Sequence, residues 1–203
     1  NMTAYFKASS KVAAKSVTSF HRSGIIFRNR CLSSMKACVP IRTADLCDKY
    51  TESPSRLMVA RPGYFKDFGG QKAFSGKIET VKCFESNPLV RSTLSEPGQG
   101  RVLIVDGGAS QRVALCGDLL AQMAVDNGWS GLVINGCIRD SAVIANLPIG
   151  VKAINTHPIK SAKTHPGERG CIVAFADIEF VPGMYVYADE DGVLVSENEL
   201  IID

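Results

Sequence analysis

The chain has 203 residues, 45% of them apolar, with 23 Lys and Arg against 20 Asp and Glu, a formal charge of +3. That is enough to bury one core with an appended segment, and no run of about 18 apolar residues is present to span a bilayer. Seven cysteines (Cys31, Cys38, Cys47, Cys83, Cys116, Cys137, Cys171) make no CxxC pair, which argues against a zinc cluster or a full disulfide framework and fits buried thiols in a reducing compartment.

The charge is unevenly divided. Residues 1–44 hold Lys7, Lys11, Lys15, Arg22, Arg28, Arg30, Lys36 and Arg42 and no acid, which leaves 15 basic and 20 acidic residues in 45–203, a net of −5. A mildly acidic body is a poor surface for phosphate backbones, so no direct nucleic-acid partner is expected. Residues 1–42 are rich in Ser and basic residues and free of acids, which suits an organellar transit peptide and a disordered extension equally. Met35 offers an alternative start within them. A targeting role would place the protein in a mitochondrion or another organelle; otherwise it is cytoplasmic. The domain proper is expected over 43–203.

Thr43 is positioned to cap a short helix through about Tyr50. Residues 51–73 read as loop, with Pro54, Pro62, Gly63, Gly69 and Gly70. From Ile78 to Phe84 apolar and polar residues alternate, the pattern of a half-buried strand. LVRSTLSEPGQG reads as a short helix stopped by Pro97 and Gly98. Val102 to Val105 is an apolar strand closed by Asp106-Gly107-Gly108. DGGAS lacks both GxGxxG and GxxxxGK[ST], so no phosphate loop is expected there. In QRVALCGDLLAQMAVDNG, the spacing of Val113, Leu115, Leu119, Leu120, Met123 and Ala124 predicts one amphipathic helix stopped by Asn127-Gly128. Trp129 is expected to pack against the strand it introduces. GLVING is a buried strand, SAVIANLP a helix ending before Pro148, and VKAIN a further strand. CIVAF, IEFV, MYVYA and GVLVS are short strands divided by turns at Asp177, Pro182-Gly183 and Asp191-Gly192. The last two strands are expected to form an uncovered sheet edge. Strand–helix alternation with β-rich ends predicts a single α/β domain, layered β/β/α and barrel-like (swivelling), with a mixed sheet.

GCIRDS, residues 136–141, sets Arg139 beside Asp140 at the exit of a strand, where ligands gather in open α/β folds. Gly117-Asp118-Leu119-Leu120 stands at or near the start of a helical pattern. If that helix effectively begins at Gly117, its first amides are free to bind a carboxylate. Arg139 offers a planar fork for a carboxylate or an enolate oxygen. Asp140 offers a hard oxygen for a divalent ion that keeps several waters, Mg²⁺ or Mn²⁺. A capping Asp118 and a surface Arg139–Asp140 pair would account for the same residues without function. Lys152 and Lys160 read as solvated charges, so no Schiff-base lysine is implied. His157 and His165, each before a proline, read as loop histidines, with a place on or beside a metal as the alternative.

The stretch GDLLAQMAVDNGWSGLVINGCIRDSAVIANLPIGVKAINTHPIKS, residues 117–161, closely resembles the family of regulators of ribonuclease E activity A and 4-hydroxy-4-methyl-2-oxoglutarate aldolases. CDKY (47–50), FGGQKAFSGKIETVKCFESN (68–87), GRVLIVDGG (100–108) and PGMYVYADEDGVLVS (182–196) extend the resemblance over nearly all of 43–200. Aldolase-competent members carry Asp, twenty residues, then Arg-Asp; here Asp118, residues 119–138 and Arg139-Asp140 fill that pattern. Members known only as ribonuclease regulators can lack the second Asp. The resemblance implies a divalent-metal-dependent (class II) aldolase that releases pyruvate, with oxaloacetate decarboxylation as a companion activity. It implies that the backbone of Gly117, Asp118, Leu119 and Leu120, together with Arg139, holds the 2-oxo acid, that Asp118 and Arg139 are catalytic, and that Asp140 holds the metal. It further implies a homotrimer, or a hexamer built from two, with an acid from a neighbouring subunit completing the site; Asp189, Asp191, Glu197 and Glu199 are available. The alternative is a non-catalytic regulator that binds an RNA-processing ribonuclease.

Overall fold

The computed structural model describes residues 41–52, 57–165 and 167–202. The basic extension, with Met35 and the targeting role read into it, lies almost wholly outside them.

In chain order the elements are α1 (Thr43–Tyr50), β1 (Leu57–Val59), β2 (Lys66–Asp67), β3 (Phe74–Lys82), α2 (Pro88–Leu94), β4 (Val102–Asp106), β5 (Ala114–Cys116), α3 (Asp118–Asp126), β6 (Gly131–Ile138), α4 (Ser141–Ile144) and β7 (Gly150–Thr156). Then come β8 (Glu168–Arg169), β9 (Val173–Phe175), β10 (Ile178–Phe180), β11 (Tyr185–Ala188) and β12 (Val193–Ser196). The main sheet runs β1-β12-β11-β3-β4-β6-β7-β2, with β5 added to β6 and β8 to β3. β3, β4, β6 and β7 are parallel neighbours, while β1, β12 and β11 join antiparallel. β3 belongs to both halves. Its first residues, Phe74 to Lys77, pair with β11, and Ile78 to Lys82 pair with β4.

Alternation along β4 and β6 fixes the layers. Val102, Ile104 and Val133 turn toward the antiparallel half and pack with Val186, Ala188, Val193 and Val195. Leu103, Val105, Leu132 and Ile134 turn the other way, onto Val90 and Leu94 of α2 and Leu120, Ala121 and Ala124 of α3. Each buried Val, Leu or Ile side chain among them is worth about 1.5–3 kcal/mol. The result is the expected β/β/α layering around a mixed sheet.

Several elements differ from the sequence reading. α1 begins at Thr43 itself, and Thr43 does not cap it. The carboxylate of Asp189 takes the cap's part, accepting from the Thr43 amide (2.6 Å) and hydroxyl (2.7 Å). The loop expected over 51–73 contains the two short edge strands β1 and β2. The helix expected from Gln111 is a strand first: Ala114, Leu115 and Cys116 are all buried, and β5 pairs with Cys137 and Ile138 of β6. Continuous burial there hides the strand from any periodicity test. β11 and β12 are interior strands, so the expected uncovered edge falls instead on β1 and β2. Lys152 is not solvated. It is 3% exposed, pairs with Asp67 at 2.8 Å and donates to the Asp189 carbonyl, tying β7 to the end of β11. Trp129 packs inward as expected, its indole N–H donating to the Glu96 carbonyl (3.1 Å) beneath the Arg101 guanidinium.

Candidate functional site

β5 and β6 run parallel, and their carboxyl ends deliver Gly117 and Arg139 side by side. Gly117 caps α3 in an extended conformation, so the helix starts at Asp118. The Arg139 amide donates to the Cys116 carbonyl (2.9 Å), which fastens the two strand ends together. Asp140 follows in the left-handed region (φ 57°), and this bend swings its carboxylate back over Gly117 and starts α4. The Arg139 Nε lies 3.2 Å from Asp140 Oδ2. A Cβ added to Gly117 would sit 2.9 Å from Asp140 Oδ2 and 3.1 Å from Arg139 Nε. Gly117, Arg139 and Asp140, candidates in the sequence for separate reasons, thus share one surface.

A cleft of about 250 Å³ opens above the helix start, lined among others by Gly117, Asp118, Leu119, Leu120 and Arg139. A second hollow of about 260 Å³ is also lined by Arg139, with Asp140 and His157 in its wall. His157, read as an ordinary loop residue, is therefore a neighbour of the site. Its Nδ1 accepts from the Ile159 amide (3.2 Å), and its Nε2 has no hydrogen-bond partner among the described residues. The spacing of His157 from Arg139 carries no motif, and only the adjacency of β6 and β7 brings it near.

The four predicted backbone donors are not equivalent. The Leu119 amide donates to the Asp118 carboxylate (2.8 Å) and the Leu120 amide to the Gly117 carbonyl (3.1 Å). The Gly117 and Asp118 amides have no hydrogen-bond partner among the described residues, and they stand at the positive end of the α3 dipole. Leu120 turns its side chain into the core, whereas Leu119 is exposed. Beneath the site, burial pushes the Cys116 thiol up to about 12, and the charges of Asp118 and Asp140 add to the effect. Cys116 is therefore a buried apolar group and no nucleophile at neutral pH. The five described cysteines are free thiols.

Of the acids named for a composite site, Asp189 is committed elsewhere. Its carboxylate accepts from Thr43 and from the Asp191 (3.0 Å) and Gly192 (3.1 Å) amides. Asp191, Glu197 and Glu199 are exposed.

Residues 43–195 match the RraA-like family, described as Aldolase/RraA. A protein of Laribacter hongkongensis (strain HLHK9), provisionally named 4-hydroxy-4-methyl-2-oxoglutarate aldolase, is 54% identical over 159 residues, 78% of this chain and 98% of its own. One of the same provisional name from Alkalilimnicola ehrlichii is 52% identical over 79% of this chain and 98% of its own. Two solved structures are similar throughout. The S-adenosylmethionine: 2-dimethylmenaquinone methyltransferase of Geobacillus kaustophilus HTA426 has 49% identity and a TM-score of 0.75 over 79% of this chain and 97% of that one. The RNA-processing inhibitor RraA of Thermus thermophilis has 42% identity and a TM-score of 0.73 over 79% and 94%. A family match over most of the chain, relatives about half identical along nearly their full length, and the same layered fold lead to one conclusion: the chain belongs to the RraA-like family.

Proposed function

We propose that the protein is a divalent-metal-dependent aldolase that cleaves 4-hydroxy-4-methyl-2-oxoglutarate-type acids to pyruvate. The observation that carries this reading is the packing of Arg139 and Asp140 against Gly117, which brings an anion-binding helix start, a guanidinium and a carboxylate together on one surface. The relatives provisionally named as aldolases agree with it.

Asp140 fits a hard divalent ion. It is a partly exposed carboxylate, and no group of three or more His, Cys, Asp and Glu suited to a metal gathers among the described residues. One carboxylate suits Mg²⁺ or Mn²⁺, which keep several waters, and not zinc, which takes three or four protein ligands. When bound, such an ion supplies Lewis acidity at the pyruvyl oxygens. The protein's own groups do the rest. The free amides of Gly117 and Asp118 receive the 2-oxo acid carboxylate. Asp118 has one oxygen engaged by the Leu119 amide, and its other oxygen holds the water that takes the proton from the C4 hydroxyl. As the C3–C4 bond breaks, its electron pair moves toward the keto oxygen, and the Arg139 guanidinium faces the enolate that forms. Loss of CO₂ from oxaloacetate reaches the same enolate, so one site serves both reactions.

Pyruvate release from 4-hydroxy-2-oxo acids, followed by coupled NADH oxidation, tests the reading. Turnover should require Mg²⁺ or Mn²⁺, and Asp140→Asn should lower it at least about a hundredfold, the scale of several kcal/mol of lost charge stabilisation. Unchanged turnover in EDTA overturns it. The likeness to the Thermus inhibitor favours a second reading, a regulator that binds an RNA-processing ribonuclease. Inhibition of a ribonuclease that persists in Asp140→Asn would support this second role.

A further inference from the structure

His157 has no part in the reaction described, yet it stands beside its centre. Ile138 pairs with Thr156 at the parallel ends of β6 and β7, and the His157 amide donates to the Ile138 carbonyl (2.8 Å), which sets His157 next to Arg139. Both residues, with Asp140, Thr156 and Pro158, line the hollow of about 260 Å³. Arg139 also lines the cleft over the start of α3, so the same side chain borders both spaces. Pro158 disfavours the helical region for the residue before it, which carries the direction of β7 as far as His157. The imidazole is oriented as well. The Ile159 amide donates to Nδ1 (3.2 Å), a bond that only an unprotonated nitrogen accepts, so the ring proton sits on Nε2. That N–H has no hydrogen-bond partner among the described residues.

A loop histidine that bonds its own turn would show the same Nδ1 contact and turn its other edge to water. What distinguishes His157 is the company of that edge, a guanidinium and a carboxylate in one hollow. The edge is also of one kind. A nitrogen that carries its proton has no lone pair for a metal and cannot act as a base, so Nε2 can only donate. We infer that the Nε2–H of His157 is a second hydrogen-bond donor to the enolate oxygen that Arg139 faces, which makes His157 a further catalytic residue. This rests on the aldolase reading for the identity of the oxyanion. As the C3–C4 bond breaks, its electron pair becomes the enolate and C4 becomes a carbonyl, while the hydroxyl proton passes to the water on Asp118. His157 gains and loses no proton in this step. It stabilises the charge that develops, from the strand next to the one that carries Arg139.

Two variants separate this role from a structural one. In His157→Asn the side-chain carbonyl can still accept from the Ile159 amide two residues on, but no donor reaches the place of Nε2. In His157→Gln the longer side chain brings an N–H close to that place. Calorimetric titration of the full chain in Mg²⁺ buffer with oxalate, a dianion shaped like pyruvate enolate, and with pyruvate itself reads the effect without turnover. His157→Asn should weaken oxalate roughly tenfold or more, the worth of a hydrogen bond to a charged group, and pyruvate much less. His157→Gln should keep most of the oxalate affinity, and unchanged melting temperatures would show that both variants are folded. Nitrogen-15 NMR of the unaltered protein should find the proton of the neutral ring on Nε2. A ring proton on Nδ1, no measurable oxalate binding, an oxalate affinity that survives His157→Asn, or a loss shared equally by pyruvate or by His157→Gln each overturn the inference. Absence of pyruvate release from 4-hydroxy-2-oxo acids by the unaltered protein would overturn the aldolase reading and leave the oxalate comparison and the ring tautomer as measured.

Discussion

Gly117 is extended (φ −132°, ψ −174°), a conformation open to any residue, so its missing side chain is a matter of space. The atoms a methyl would meet belong to the ends of Arg139 and Asp140 and to Arg139 Cγ, at 2.9 to 3.2 Å. Those groups can move aside without disturbing the core. Gly117→Ala should therefore fold normally, with a melting temperature within a few degrees of the parent. Its turnover should nevertheless fall roughly tenfold to a hundredfold, the loss expected when reacting groups shift by about 1 Å. A variant as active as the parent would show that the two side chains need not lie where they do. At this scale the sequence was partly legible. Asp118, Arg139 and Asp140 were visible because a strand exit and a helix start are recognisable and the spacing between them is that of the family. The place of His157 beside Arg139 and the burial of Lys152 were not visible. Each depends on a contact between strands or helices distant in the chain, and an isolated lysine or arginine carries no sign of whether an acid will meet it.

At the scale of elements, the start of α1 depends on a distant side chain. Burial pushes the Asp189 carboxyl up, but hydrogen bonds from Thr43, Asp191 and Gly192 outweigh it and hold the group below the ordinary carboxylate range. A depressed folded value stabilises the protein at pH above the unfolded value of about 3.9, and the contribution is lost as pH falls through the folded value. Asp189→Asn presents an N–H where the Thr43 amide needs an acceptor. It should cost about 2–3 kcal/mol at pH 7, a drop in melting temperature of about 5–10 °C. The gap between variant and parent should hold from pH 7 to about pH 5 and narrow below about pH 4. Melting curves across that range check the sign, and a gap independent of pH would show that the charge is not what matters. The sequence placed α1 correctly but assigned the cap to the nearest hydroxyl, because local rules cannot see an acid 146 residues away. The same blindness made β5 part of a helix. An apolar run buried on every side looks alike in strand and helix, and only the partner strand decides.

For the whole molecule, the layered mixed sheet followed from the order of strands and helices, whereas edge positions did not, since adjacency in a sheet is set by pairing and not by order in the chain. β11 and β12 are covered on both sides, so they give no argument for assembly. The surface around the site does. Leu119, Val143 and Ile159 are 68%, 50% and 59% exposed, and they flank Asp118, Asp140 and His157 in the chain. Exposed apolar side chains next to site residues are what a surface covered by another chain presents. We expect the homotrimer, or hexamer, that the family resemblance implies, with Asp191, Glu197 or Glu199 of a neighbour reaching the cleft. Light scattering should give three or six times the chain mass, and Ile159→Asp should shift the protein toward monomer without unfolding it. A fully active monomer would defeat the expectation. The dual pairing of β3 bears on how the chain is made. The parallel half is complete once residue 156 has left the ribosome, but Phe74 to Lys77 wait for Tyr185 to Ala188, and Leu57 waits for Ser196. Until residues 185–196 emerge, Phe74 to Lys77 stay a strand segment with open amides, the kind of edge that recruits a second chain. A ribosome stalled before residue 185 should hold the chain with this strand edge unpaired.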